Sequence, residues 1–239
     1  MNVFWTGPIQ LLELQSVWRD FSQGPIARPV LRDVSFKIST REIVAILGSS
    51  GSGKSTLMNL MGLMDKPTRG KIFLEQQSTT TLNPEETAAL RNQKIGFVFQ
   101  SFHLLPNMSV TDNVGLPLVF RGCDKRDRRR AAHELLERFG LEGHADKKPG
   151  QLSGGQRQRV AISRALVGKP KVLLADEPTG NLDSITAHEV MDTIMALNSD
   201  SGLTVVIITH DPTIASRCVR QINIRDGQVV QATPNLMSV

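Results

Sequence analysis

The sequence predicts an α/β fold with an antiparallel β portion in front, a parallel core and a helical insert within that core. Three observations carry the prediction. Strand-sized apolar runs at Glu42–Leu47, Ile95–Phe99, Val172–Ala175 and Thr204–Thr209 alternate with helical patterns, the rhythm of a parallel sheet with helical crossovers. Ahead of them, Leu11–Ile38 alternates apolar and polar residues around Val30–Ile38 and holds Pro25 and Pro29, which reads as short antiparallel strands joined by a loop. Between two of the core strands lies a mostly polar, helix-patterned stretch, about 101–166 at its widest. No internal repeat is visible.

Taken in order, Glu42–Leu47 is a buried strand that runs into Gly48–Thr56 and then a helical pattern through Met64. Leu57, Leu60, Met61 and Met64 share one face, so Met58, Met61 and Met64 read as core. Lys71–Glu75 is a strand. Asn83-Pro84-Glu85-Glu86 supplies an N-cap, a first-turn proline and an acid at the third helical position, which opens a helix through Arg91. Ser109 and Asp124 read as further helix starts. Ser184–Leu197 is a helix, a shorter one follows Pro212, and Gln221–Ile224 and Gln228–Val230 flank the hairpin dipeptide Asp226-Gly227.

Composition narrows the classes. With 239 residues, 40% hydrophobic and 21% charged, the chain is long enough to bury a core, which argues against disorder. A net charge of +5 admits nucleotides, nucleic acid or anionic lipid as partners and chooses none of them. The two cysteines, Cys123 and Cys218, lie far apart and lack a neighbouring His or Cys at ligand spacing, which argues against a disulfide framework or a zinc site and fits a reducing compartment. No run approaches the roughly 18–20 apolar residues of a membrane span. Residues 1–10 lack the pattern of a signal peptide, so the expectation is a soluble chain held at any membrane by a partner. The basic run Lys125, Arg126, Arg128, Arg129, Arg130 precedes Ala131, Ala132, Leu135, Leu136 and Phe139. These form an apolar face, and the charges read as its solvated opposite.

Gly48-Ser49-Ser50-Gly51-Ser52-Gly53-Lys54-Ser55 fits G-x-x-x-x-G-K-[ST] between a strand and a helix. Backbone N–H groups and the helix N-terminus there meet phosphate oxygens, Lys54 reaches the terminal phosphates, and the Ser55 hydroxyl can ligate Mg²⁺. A flexible linker would not be wedged between an apolar strand and an amphipathic helix. Val172–Ala175 delivers the adjacent carboxylates Asp176 and Glu177. One can hold the metal shell and the other can orient or deprotonate water. An apolar strand ending in Asp-Glu also marks solvated turns, so its weight comes from the phosphate loop beside it.

Leu152-Ser153-Gly154-Gly155-Gln156, continued by Arg157–Leu166 as RQRVAISRAL, lies between those two motifs. On these segments the sequence resembles the ATP-binding cassette (ABC) family over nearly the whole chain. The resemblance implies one domain, 1–239, with a phosphate-loop NTPase core, an antiparallel β subdomain and a helical subdomain inserted at about 101–166. It implies ATP and Mg²⁺ as cofactors. ATP contacts would come from Gly48, Ser49, Ser50, Gly51, Ser52, Gly53, Lys54, Ser55 and Thr56. Ser55, Gln100 and Asp176 would hold the metal, and Glu177, His210 and Gln100 would serve catalysis. Phe21 matches the adenine-stacking position, with Trp18 second, in a chain that has no Tyr. Ser153, Gly154, Gly155, Gln156 and Asp183 would reach the ATP held by a second copy. His103, His133, His144 and His188 read as having no chemical role.

Within the family, Ile95–Pro106, Asn113–Pro117 and Ala175–Asp183 look most like the ATPases of lipoprotein-releasing and macrolide-export systems. That likeness implies a homodimer in the ATP state, an integral membrane permease and a peripheral place on the cytoplasmic face of the inner membrane, and it allows a periplasmic adaptor. Two other functions stay open. One is a non-transporting ATPase that regulates a membrane partner in the cell envelope. The other is a nucleic-acid-associated ATPase, against which stand the single set of motifs and the absence of a coiled-coil insertion; no nucleic-acid partner is expected.

Overall fold

The computed structural model describes residues 9–23 and 26–234. Strands β1 (Gln10–Gln23) and β2 (Ile26–Ser39) run antiparallel for 14 residues each, longer than the short strands predicted. Their register slips between Leu14 and Val17 and again between Val17 and Arg19. Ser16 on β1 and Asp33 on β2 take positive φ, 45° and 51°, where the ribbon bulges. Such slips break the two-residue period and hide a long strand from pattern reading. β4 (Arg69–Leu74) pairs with β1, and β5 (Gln77–Ser78), which the sequence did not announce, pairs with β4. The sheet order is β2-β1-β4-β5.

The second sheet has the order β10-β9-β3-β8-β7-β6. It comprises β3 (Ile43–Leu47), β6 (Ile95–Val98), β7 (Val172–Asp176), β8 (Thr204–Thr209), β9 (Arg220–Arg225) and β10 (Gln228–Pro234). β9 through β6 are parallel, and only the β9–β10 hairpin at the edge is antiparallel. Helices α1 (Lys54–Met61) and α2 (Pro84–Lys94) precede β6. Then α3 (Val110–Val119), α4 (Lys125–Arg138) and α5 (Gly154–Leu166) fill the stretch before β7. α6 (Ser184–Ser201) and α7 (Pro212–Ser216) flank β8.

The central strands are buried on both faces, which is why they read as continuous apolar runs. Alternate residues serve two cores. Val44, Ile46, Leu174, Val206 and Ile208 pack against α1 and the first sheet. Ala45, Leu173, Ala175, Val205 and Ile207 pack toward α3–α6. On α4 the apolar face is inward and Lys125, Arg126, Arg129 and Arg130 are exposed, as the sequence predicts. Met58 and Met61 are buried, but Met64 is 45% exposed. The reason is local: α1 stops at Met61, and Gly62 caps it, so Met64 no longer follows the helical period. Neither cysteine forms a disulfide among the described residues, and burial pushes the Cys218 thiol up to about 12. Among the described residues, no helix is long and apolar enough to cross a membrane.

Candidate functional site

Parallel strands deliver their C-terminal ends to one edge of the sheet, and in an open α/β sheet that edge carries the ligand crevice. Here Leu47 is level with Thr209, Asp176 with Ile208, and Val98 with Ala175. The loops after β3, β8, β7 and β6 therefore emerge side by side, at about 4.8 Å per strand. Those four loops contain Gly48–Gly53, His210, Glu177 and Gln100.

The phosphate loop enters α1 without a side-chain cap: Gly53 stands at the N-cap with φ 102°, and the first turn holds no acid. Its leading N–H groups are thus left for an anion. A Cβ on Gly53 would lie 2.8 Å from Leu31 Cδ2, and one on Gly48 2.5 Å from the Ile224 carbonyl oxygen, so the loop is seated tightly on β2 and β9. Lys54 Nζ donates to the carbonyls of Gly48 and Ser49 at 2.7 and 3.0 Å. Ser49, Ser50, Gly51 and Ser55 are exposed, whereas Ser52 is buried at 3% exposure and its hydroxyl faces inward toward Gly48.

Asp176 ends β7 half-buried. Burial raises its carboxyl above the ordinary range, the Glu177 charge adds to this, and Lys54 opposes it. Glu177 follows with φ 44°, a left-handed conformation that costs a residue with a Cβ. It is held there by its own main chain, whose N–H donates to the Ile208 carbonyl at 2.8 Å, and by its carboxylate. Oε1 accepts from His210 Nδ1 at 2.6 Å and from the His210 main-chain N–H at 3.0 Å. Oε2 accepts from the Thr209 hydroxyl at 3.1 Å. Glu177 is only 15% exposed in its side chain against 72% for His210, so the imidazole covers the carboxylate from the solvent side. Thr209 was missed by sequence reading, because a threonine ending an apolar strand gives no signal until the strand beside it is known.

The loop after Glu177 is fastened twice more. Asn181 Nδ2 donates to the Gln100 carbonyl at 2.9 Å, and the fully buried Gln158 of α5 donates to the Pro178 carbonyl. A Cβ on Gly180 would meet the Gln100 side-chain amide at 2.8 Å, so Gln100 lies directly against this loop.

Other sequence-predicted residues stand apart from that edge. Ser153 caps α5 in a closed capping box with Gln156, and Gly155 packs on Thr186. None of Ser153, Gly154, Gly155 or Gln156 bonds to the phosphate loop among the described residues. Asp183 caps α6, both oxygens accepting from Thr186 at 3.0 and 2.8 Å, which hold its carboxyl below the ordinary range. Phe21 is 43% exposed near the end of the β1–β2 ribbon with the Arg19 guanidinium 4.8 Å from its centroid. Trp18 carries Arg69 at 4.3 Å. His144, read as inert, lies 3.1 Å from the Gln156 amide nitrogen.

A metal at Asp176 finds few protein ligands, since the described residues contain no group of three or more His, Cys, Asp or Glu suited to one. One half-buried carboxylate and one hydroxyl, Ser55, are what Mg²⁺ uses when phosphate oxygens and water complete its shell. The desolvated Asp176, raised further by a neighbouring carboxylate, is the donor a divalent cation would relieve, so the residues fit.

A phosphate loop, a carboxylate pair two strands away across β8 and a glycine-headed helix kept off that loop define the class as the ATP-binding cassettes, which are ATPases. The chain belongs to the ABC transporter family: the model of that description matches residues 31–180. It is 50% identical over 224 residues to the macrolide export ATP-binding/permease protein MacB of Syntrophobacter fumaroxidans, covering 92% of this chain and 31% of that protein. With the protein of the same name from Shigella flexneri it shares 47% over 229 residues, 96% of this chain and 35% of that one. The chain thus spans about a third of the length of the curated relatives it matches. Among solved structures, the dimeric bacterial ABC transporter cassette MJ0796 superposes with a TM-score of 0.87 at 41% identity, covering 94% of this chain and 99% of that one. The same cassette is known as a dimer in a post-hydrolysis state bound to ADP and Pi.

Proposed function

We propose that this chain is the ATP-hydrolysing cassette of a macrolide-type export system, acting as a head-to-tail pair whose closure on ATP drives a membrane permease. The observation that carries the reading is the separation of the two glycine-rich helix starts: among the described residues the N-terminus of α5 makes no bond to its own phosphate loop, so a second copy is needed to bring one to the other. The dimeric relatives support the pairing, and the MacB names support the export role and the permease.

In the cis half-site, Lys54 leaves the Gly48 and Ser49 carbonyls and donates to the β- and γ-phosphates, while the bare first turn of α1 takes their remaining charge. Ser55 and Asp176, with Gln100 beside them, would hold Mg²⁺, which supplies positive charge to those phosphates. Phe21 offers a ring face to the adenine. Glu177 receives the proton of the attacking water. His210 keeps Nδ1 on Glu177, and its Nε2, which has no hydrogen bond to another of the described residues, is available to the γ-phosphate. From the other copy, Ser153, Gly154 and Gly155 meet the γ-phosphate, with Gln156 and Asp183 framing them.

The permease docks in a 990 Å³ cleft between α2 and α3, lined among others by Phe97, Phe99, His103, Pro117 and Phe120. Phe120 is 77% exposed, an apolar surface of the kind that marks an interface. Through Phe99 the cleft adjoins Gln100, so occupancy there is felt at the loop fastened by Asn181. On this reading the chain would sit peripherally on the cytoplasmic face of the inner membrane, and a periplasmic adaptor would complete the export path. Small-angle scattering tests the reading: a dimer should accumulate with trapped ATP and be absent in the apo and ADP states. The same dimer in all three states would overturn it.

A further inference from the structure

We propose that His144 is a positioning residue for the signature helix, holding the Gln156 side chain in the one orientation that closes the cap on α5. Gln156 Oε1 accepts from the Ser153 main-chain N–H at 3.0 Å, and the Gln156 main-chain N–H donates to Ser153 Oγ at 3.3 Å. With Oε1 committed, the Gln156 amide presents its NH₂ to His144 Nε2 at 3.1 Å. An NH₂ group only donates, so His144 Nε2 accepts. The ring is then neutral and carries its proton on Nδ1, a buried atom that has no hydrogen-bond partner among the described residues.

The ring sits on a fixed base. His144 ends the 3-10 turn Glu142–His144. The next residue, Ala145, accepts at its carbonyl from both the main-chain N–H and the hydroxyl of Thr111, at 3.0 and 2.9 Å. The Lys147 carbonyl accepts from the Val110 N–H at 2.8 Å. Both donors belong to the start of α3, so α3 anchors the segment that orients Gln156. If the acceptor on His144 is removed, Gln156 can rotate and the Ser153 N–H loses its partner. The first turn of α5 then frays, and with it the presentation of Ser153, Gly154 and Gly155. This rests on the proposed trans contact of that turn with ATP.

The test compares His144→Leu with His144→Gln, whose amide oxygen can take the place of Nε2. Each is made in the Glu177→Gln background so that ATP is not consumed. Monomer affinity for a fluorescent ATP analogue should stay at the parent value in both. The ATP-dependent dimer should dissociate roughly 25-fold more readily in His144→Leu, about fivefold for each of its two lost N-caps, and His144→Gln should restore it. In the parent, long-range ¹H–¹⁵N spectra should show the His144 ring as the neutral Nδ1–H tautomer. Equal dimerisation by both variants and parent, failure of His144→Gln to restore it, or an Nε2–H tautomer would each overturn the inference. Absence of any ATP dimer in the parent would instead overturn the dimer reading on which it rests.

Discussion

Two glycine-rich segments each open a helix in this protein, and they open it in opposite ways. At α1 the N-cap is Gly53, with no side chain to accept from the first turn. At α5 the N-cap is Ser153, closed into a box by Gln156. A bare helix start keeps its N–H groups for an incoming anion. A capped one has satisfied part of itself and keeps its shape in solvent, where no ligand orders it. The difference follows from what each finds in its own chain. α1 is seated between β2 and β9 and has Lys54 resting on loop carbonyls. α5 is packed along its length but opens at the exposed Ser153, where its own side chains close the first turn.

Single substitutions tell the two helix starts apart. The largest effect should come from Glu177→Gln, which keeps size and reach but cannot accept a proton. Turnover should fall by roughly 10²–10⁴-fold while ATP binding persists and the ATP dimer accumulates. Wild-type hydrolysis by this variant would shift attention to His210. Next, Lys54→Ala should weaken ATP binding by about a hundredfold or more, because charge-assisted contacts to phosphate are lost. A fluorescent-nucleotide titration with unchanged affinity would remove α1 from the argument. Ser153→Arg acts only on the other helix start. Dimerisation with trapped ATP should drop by roughly tenfold or more because the bulk of the arginine keeps the two helix starts apart, with monomer binding retained, so loss of both would merge the two sites.

A subtler separation concerns pH. Asp176 is raised above the ordinary carboxylate range, first by burial and then by Glu177. Metal support of ATP binding should therefore weaken as pH falls toward that raised value, and Glu177→Gln, which removes one cause, should move the loss to lower pH. Because the folded pKa is the higher one, this group destabilises the fold as pH rises from the unfolded to the folded value, the opposite sense to Asp183, whose lowered carboxyl contributes stability that is lost on acidification. Titrating metal dependence across that window checks the sign. The smallest effect is a control at a third helix start. Asn83→Ala opens the capping box of α2 and should cost about 1 kcal/mol, a melting shift of roughly 2–4 °C, with turnover unchanged.

Local patterns were legible where a residue's neighbours in sequence are also its neighbours in space. The Asn83–Glu86 box, the phosphate loop and the apolar strands of the second sheet read directly, since caps, turns and buried strands are set within a few residues. The long β1–β2 ribbon did not, because bulges at Ser16 and Asp33 shift its alternation. Nor did the roles of Thr209, Gln158 and His144, which are ordinary residues in their own segments. Thr209 matters only because β8 lies beside β7, Gln158 only because α5 packs under the loop after Glu177, and His144 only because Gln156 turns its amide toward it.

The sequence by itself determined the α/β class, the glycines and lysine of the phosphate loop, the carboxylate pair and the signature pentapeptide, all of them contiguous chemistry. Only the tertiary structure decided that Glu177 is strained and covered by His210, that Asp183 caps its own helix, and that the two glycine-rich helix starts face different neighbours. Those facts depend on strand order, on register and on which side of a helix is buried. Such properties arise when distant segments compete for the same apolar surface, and no single stretch of residues encodes them.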